Sequence, residues 1–426
     1  MEAGKVKMKI LLVNKYHYYR AGPETVYLRT AELLKSHGHE IVFFSMHHPE
    51  NLSCETDEFF VPYVELTAQH SILNQIKIAG RILYSFKAKR NLSNLLDRYP
   101  VEIAHLHDIG YHISPSILHE LKKRSIPVVM TLHNLKMVCA SYHMFADGKI
   151  CEECRNGRYY MAIRNRCVKN SLVKSILAVS EMYLHHRMLD IYDNVDIFIA
   201  PSLFLRKKLE EKEFKKRIIH LPNFFDLHKS ERIDKEERVN GGKKNTIVYI
   251  GRLSHEKGLI TLLNAAKHIG NKGKKIQINI IGAGPLMNEL QKKIEIEKIN
   301  NVQFLGYMKH ENLYKEIRKS LAVVLPSECY ENNPLAVVEA FALGKPVIGS
   351  RRGGIPELVK DYERGLTFEP GNPEDLISKI EYLVDNPDKA EIMGEKARIF
   401  VEKELNSEKY YQELMIIYKQ ALKTKK

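Results

Sequence analysis

The chain has 426 residues, 44% of them hydrophobic and 28% charged, more than one hydrophobic core accommodates, so two or three domains are expected. Its 66 basic against 52 acidic residues leave a formal charge of +14 and point to an anionic partner: nucleic acid, an anionic membrane face or a phosphorylated substrate. Runs such as Met8–Val13 are too short to span a bilayer, and Asn14 and Lys15 break any signal-peptide pattern; a cytoplasmic enzyme is expected, its six cysteines reduced, metal-bound or catalytic.

In chain order, Lys9–Val13 reads as a buried strand, Glu24–His37 as a helix closed by Gly38, and Glu40–Phe44 as the next strand. That is a unit of the doubly wound kind, with Ala21-Gly22-Pro23-Glu24 where the strand hands over to the helix. Residues 72–96 read as one helix with Ile76, Ile82, Leu83 and Phe86 apolar and Lys77, Arg81, Lys87, Lys89 and Arg90 basic. Such a helix either docks on an anionic membrane or turns its apolar face to the core and its charges to solvent. Val101–Leu106 and Pro127–Leu132 are further strands, with His107 and His133 at their C-terminal ends, the edge where open α/β sheets bind ligands. His105, inside its strand, reads as structural.

An insertion follows that carries Cys139, Cys151, Cys154 and Cys167. Cys151-Glu-Glu-Cys154 is a compact chelating turn, and four thiolates can close a tetrahedral structural zinc site; free thiols and a redox pair are the other readings. Asp147-Gly148 signals a hairpin turn. Ser171–Ile191 reads as helix, Val195–Ala200 as strand, Pro201-Ser202 as a helix start and Ile218–Leu221 as the last strand of the first half. The polar, charged segment Asp226–Lys244 reads as a linker. Thr246–Ile250 restarts the alternation. Arg252 and Lys257 then flank a Gly-rich turn at a strand's C-terminal edge, where two cations can neutralise a diphosphate. Gly282-Ala283-Gly284 follows strand Ile276–Ile281, and Val302–Leu305 leads to Gly306-Tyr307. These elements place one domain over 1–223, a linker over 224–245, a second domain over 246–406 and a closing helix over 407–426.

The organising stretch is Ser327–Glu357, SECYENNPLAVVEAFALGKPVIGSRRGGIPE. The apolar run Leu321–Leu325 is a buried strand, Asn332-Asn333-Pro334 a helix start, and Gly344 the stop after Ala342. Glu331 then lies at the mouth of the strand and Glu339 on the helix's second turn. The free amides of the first turn suit a phosphate, and a carboxylate beside them can grip sugar or ribose hydroxyls. With Gly353-Gly354-Ile355-Pro356-Glu357, this pattern resembles the donor site of retaining glycosyltransferases of family 4. Ala21-Gly22-Pro23-Glu24 resembles that family's N-terminal Gly-Gly-x-Glu loop, with Ala21 in place of the first glycine. Thr131-Leu132-His133-Asn134 resembles its active-site histidine segment.

The resemblance implies an α/β protein of GT-B architecture, two doubly wound Rossmann-like domains facing across a cleft, with the closing helix crossing back to the first. It implies a retaining hexosyltransferase that uses a nucleotide-diphosphate sugar. Arg252, Lys257 and the amides of Asn333–Leu335 would bind the diphosphate, and Gly22 would let backbone approach the donor. Glu331 would hold the sugar, Glu339 the ribose, and His133 would line the anomeric centre. No Asp-x-Asp is present, so no catalytic metal is expected. A lipid-linked or growing surface-polysaccharide acceptor, at the inner face of the cell membrane, fits the basic first half and the family's habit. A GT-B nucleotide-sugar epimerase and a basic nucleic-acid-binding protein are the alternatives; the basic residues lack interleaved aromatics, so nucleic acid is not expected.

Overall fold

The computed structural model describes residues 7–65, 71–227 and 245–424. The linker expected over 224–245 lies largely outside them. The strands in chain order are β1 (Lys9–Val13), β2 (Glu40–Phe44), β3 (Ile103–Leu106), β4 (Val128–Thr131), the short β5 (Phe145–Ala146) and β6 (Lys149–Ile150), β7 (Ile197–Ala200) and β8 (Ile218–His220). They continue with β9 (Thr246–Ile250), β10 (Gln277–Ile281), β11 (Val302–Gly306), β12 (Ala322–Leu325), β13 (Val347–Ser350) and β14 (Gly365–Phe368). Two six-stranded parallel sheets result, in the orders β2-β1-β3-β4-β7-β8 and β11-β10-β9-β12-β13-β14. The doubly wound α/β expectation therefore holds in both halves. Strands such as Ile10–Val13 are buried on both faces, which parallel sheets covered by helices require.

Each sheet reverses its strand order once, between β1 and β3 in the first and between β9 and β12 in the second. The loops leaving those four strands open the crevices where such sheets bind ligands. The last helix, Ser407–Lys423, buries Tyr410, Leu414, Ile417 and Tyr418 in one core with Ile10, Leu12, Ile103 and Val129 of the first sheet. The end of the chain thus completes the core of its beginning.

Three helices differ from their sequence patterns. Residues 72–96 form two helices, Ile72–Leu83 and Phe86–Arg98, because Tyr84 leaves helical geometry and the Ser85 hydroxyl accepts the Ala88 amide at 3.1 Å, capping a new start. The helix expected to Ile191 runs over Leu172–Tyr183, widens into a π turn over Leu184–Met188 and reverses at Asp190, which has φ 40°. The helix after Asn332-Asn333-Pro334 begins at Leu335, since Pro334 is extended with ψ 120°. Among the described residues no helix is long and apolar enough to cross a membrane.

Candidate functional site

On the second sheet, β9 and β12 aim their C-terminal loops at one another. Gly258, at φ 67°, lets the turn His255–Lys257 lie against the end of β12; a Cβ there would stand 1.9 Å from the Pro326 carbonyl oxygen. This close approach delivers Lys257 Nζ to Glu331 Oε1 at 2.7 Å, and the Ser327 hydroxyl donates to the same oxygen at 2.5 Å. Burial alone would raise the Glu331 carboxyl, but the Lys257 ammonium and these hydrogen bonds hold it below the usual range, so it is a carboxylate at neutral pH. The same carboxylate holds the half-buried Lys257 ammonium charged against its desolvation. Arg252 stands exposed at the rim. Gly353, at φ 60°, packs its backbone on that of Glu331, and the Gly354 amide donates to the Glu331 carbonyl at 2.8 Å. The Gly-Gly step is therefore what fixes the Glu331 loop.

On the first sheet, β1 and β3 release Lys15 and Asp108, whose side chains pair at 2.6 Å. Glu24, on the first turn of helix Gly22–Ser36, is buried and close enough to feel both charges; burial raises its carboxyl. His133 leaves β4 beside them, with its Nε2 2.9 Å from His107 Nδ1. Burial lowers His133 to about 4 and His107 well below its ordinary value, so both rings are neutral at physiological pH. His105 hydrogen-bonds Tyr418 and Thr131 at 2.8 Å each, which makes it a satisfied core residue. Lys15, Asp108 and Glu24 were not singled out from the sequence as site residues. The signal that finds them is topological, since Lys15 and Asp108 follow the two strands flanking the reversal in strand order.

The two halves meet around this crevice. A Cβ on Gly22 would lie 4.0 Å from Leu335 Cδ1, so the starts of their two helices face each other. Asn333 accepts the Asn223 amide at 3.1 Å, and Asn332 accepts the Ser202 hydroxyl at 2.6 Å while donating to the Leu132 carbonyl at 3.0 Å. Glu357 receives the amides of Leu203 and Phe204 at the start of helix Leu203–Glu211. Glu339 is buried and paired with Arg29 at 2.7 Å. Its Oε1 faces the first half, where the sequence suggested an open ribose site. The insertion also reaches across: burial lowers His143, which lies in the fields of Glu256, Lys257, Glu331 and Arg252, and Glu152 accepts the Tyr330 hydroxyl at 2.9 Å. Neither Glu152 nor Tyr330 carried any sequence signal for this contact.

All six cysteines are free thiols. Cys139, Cys151, Cys154 and Cys167 line one cavity of about 10 Å³ in the insertion. Among the described residues no group of three or more His, Cys, Asp or Glu side chains stands at metal-coordinating spacing.

Two family models divide the chain between them: Glycosyltransferase Family 4 matches residues 20–229 and Glycosyl transferases group 1 matches residues 230–400. The N-acetyl-alpha-D-glucosaminyl L-malate synthase of Bacillus anthracis is 24% identical over 399 residues, covering 92% of each chain. Among solved structures, sucrose-phosphate synthase from Thermosynechococcus elongatus superposes with a TM-score of 0.72 at 18% identity, over 98% of this chain and 100% of that one. The Anabaena protein HepE in complex with UDP-glucose superposes with a TM-score of 0.62 at 15% identity, over 97% of this chain and 100% of that one.

Proposed function

Since this chain belongs to the family 4 type, GT-B glycosyltransferases, we propose that it moves a hexose from a nucleotide-diphosphate sugar, with retention of configuration, onto a glycan or lipid-linked acceptor. The observation that carries this reading is the half-buried Lys257–Glu331–Ser327 cluster at the strand-order reversal of the second sheet. Lys257, with Arg252 and the amides of Asn333–Leu335, neutralises the diphosphate as it leaves. Transfer through an oxocarbenium-like state needs that neutralisation more than a strong base. Glu331, kept ionised, accepts hydrogen bonds from sugar hydroxyls, and Glu339 receives the ribose through the oxygen that Arg29 does not occupy. His133, neutral and at the opposite edge, lines the anomeric centre. A complex of the same fold with UDP-glucose supports a UDP-sugar as the first donor to try.

The acceptor reading rests on the surface of the first half. Ile72, Leu73 and Ile76 are 63–76% exposed on helix Ile72–Leu83, beside Lys77. Helix Leu172–Tyr183, which packs against that helix, exposes Val173 and Ile176 beside Lys174. Two touching helices with bare aliphatic residues among lysines suit an anionic lipid surface, where a lipid-linked acceptor is presented.

The deciding experiment is a donor screen with UDP-, GDP- and ADP-sugars, read by thermal shift and by product formation, with the anomeric configuration of the product assigned by NMR. A single donor class should stabilise the protein and yield a retained linkage, and Glu331→Ala should abolish turnover while leaving the fold intact. An inverted product would refute retention. Interconversion of the free nucleotide sugar without acceptor would make the protein an epimerase.

A further inference from the structure

The insertion between β4 and β7 has a small core of its own, in which Tyr159, Ala162, Ala178, Val179 and Met182 are buried and Cys154 and Cys167 pack against them. Its backbone turns repeatedly through left-handed geometry, at Tyr142, Met144, Asp147, Asn156, Arg166, Lys169 and Asn170, none of them glycine. Such turns are uncommon for residues with a Cβ, Asn and Asp excepted. Cys139, Cys151, Cys154 and Cys167 all line one cavity of about 10 Å³. That volume is close to one small sphere, the size of a single water or ion. Lys212 lines the same cavity.

We propose that this cavity is a structural zinc site closed by the thiolates of Cys139, Cys151, Cys154 and Cys167. The free thiols do not stand at coordinating spacing, and Cys139 Sγ instead lies 3.3 Å from Ser141 Oγ. All four line one cavity, and an ion there would draw them in to ~2.3 Å. On coordination four S–H bonds break, four Zn–S bonds form and four protons leave to solvent. The resulting centre carries a charge of two minus, which the Lys212 ammonium faces.

The consequence reaches the site. Glu152, between two of the ligands, accepts the Tyr330 hydroxyl at 2.9 Å and pairs with Lys208 and Lys212 at 3.0 and 3.2 Å. A metal that fixes the Cys151–Cys154 turn therefore fixes the residue that holds Tyr330, next to Glu331. The metal itself stands or falls independently of the transferase reading.

The test is metal analysis of full-length protein purified without chelator, with cobalt(II) titrated into metal-stripped protein. One zinc per chain is expected, together with the thiolate-to-cobalt charge-transfer absorption of an all-sulfur tetrahedral site. Cys154→Ser should lose the metal; because that variant can misfold, the cobalt spectrum of the wild-type chain identifies the ligands on its own. His143→Ala should keep the zinc. Absence of both zinc and cobalt binding, full zinc in Cys154→Ser, or a spectrum with a nitrogen ligand that disappears in His143→Ala would each overturn the four-thiolate site.

Discussion

His107 Nε2 is buried and meets no hydrogen-bond partner among the described residues, while its Nδ1 lies 2.9 Å from His133 Nε2. Both rings are neutral, so one proton sits between them. If His133 supplied it, His107 would carry its own hydrogen on Nε2, an orphaned buried donor, the rarer and costlier kind of unsatisfied group. The other arrangement leaves only a bare lone pair buried. His107 therefore donates from Nδ1, and His133 is held as the Nδ1–H tautomer, with a donor left for the crevice. Nitrogen-15 NMR of histidine-labelled protein at neutral pH should show that tautomer for His133, identified by its loss in His133→Gln. His107→Asp, which can only accept, should flip the tautomer and lower kcat on the order of 10- to 100-fold, whereas His107→Asn, which still donates, should keep both. An Nε2–H tautomer in the wild-type chain would falsify the arrangement.

His133 and its core neighbour His105 set a pH dependence. Burial lowers His105 to about 3 and His133 to about 4, below the ordinary 6.5. Between those values the unfolded chain binds more protons than the folded one, so stability is full above about 6.5 and falls as the pH drops toward 4. Urea midpoints measured from pH 7 to pH 5 should decline, and His105→Gln should flatten the slope. At this scale the sequence was partly legible. Glu331, Lys257 and His133 stood out because strand ends and glycine turns are local patterns. The partner that sets the state of His133 was visible only as another histidine at a strand end, because pairing across neighbouring strands depends on register.

Among the elements, most strands were legible to within two residues, since buried parallel strands are short uninterrupted apolar runs bounded by turns, but the four-residue edge strand β14 was not read. Helix ends were less so. The pattern over 72–96 stays amphipathic across Tyr84-Ser85, and only the Ser85 cap divides it. That division has a use: it frees helix Ile72–Leu83 from the line of the helix behind it and leaves Ile72, Leu73 and Ile76 bare. If these residues meet anionic lipid, vesicles containing phosphatidylglycerol should bind the protein, and binding should fall steeply with salt, because exposed charges are screened over about 8 Å at physiological ionic strength. Replacing Ile72 and Ile76 by Ser should weaken binding with turnover on a soluble acceptor unchanged. Binding indifferent to salt, or equal binding to neutral vesicles, would exclude the electrostatic part of the interaction.

For the molecule as a whole, the joining of the two halves was the least legible feature, since its contacts link residues hundreds of positions apart. Arg29 and Glu339 are 310 residues apart in sequence, yet Arg29 Nη2 donates to Glu339 Oε1 at 2.7 Å and to the Tyr314 hydroxyl at 2.8 Å. Both side chains are nearly out of solvent, at 3% and 9% exposure. No local pattern marks Arg29, which sits in an ordinary amphipathic helix. An ion pair buried this deeply is not in itself a large net stabiliser, because desolvation offsets most of the attraction, but removing one member strands the other. Arg29→Met should therefore destabilise the protein by about 3–5 kcal/mol, while Arg29→Met with Glu339→Met should recover most of that loss. The two readouts then separate. If Glu339 also holds the ribose, the double variant should be stable yet bind donor weakly, with KM raised more than kcat is lowered. Donor affinity that returns together with stability would confine the pair to joining the halves and remove Glu339 from the donor site. The double-mutant cycle, read by urea unfolding and by donor titration on the same four proteins, distinguishes these outcomes.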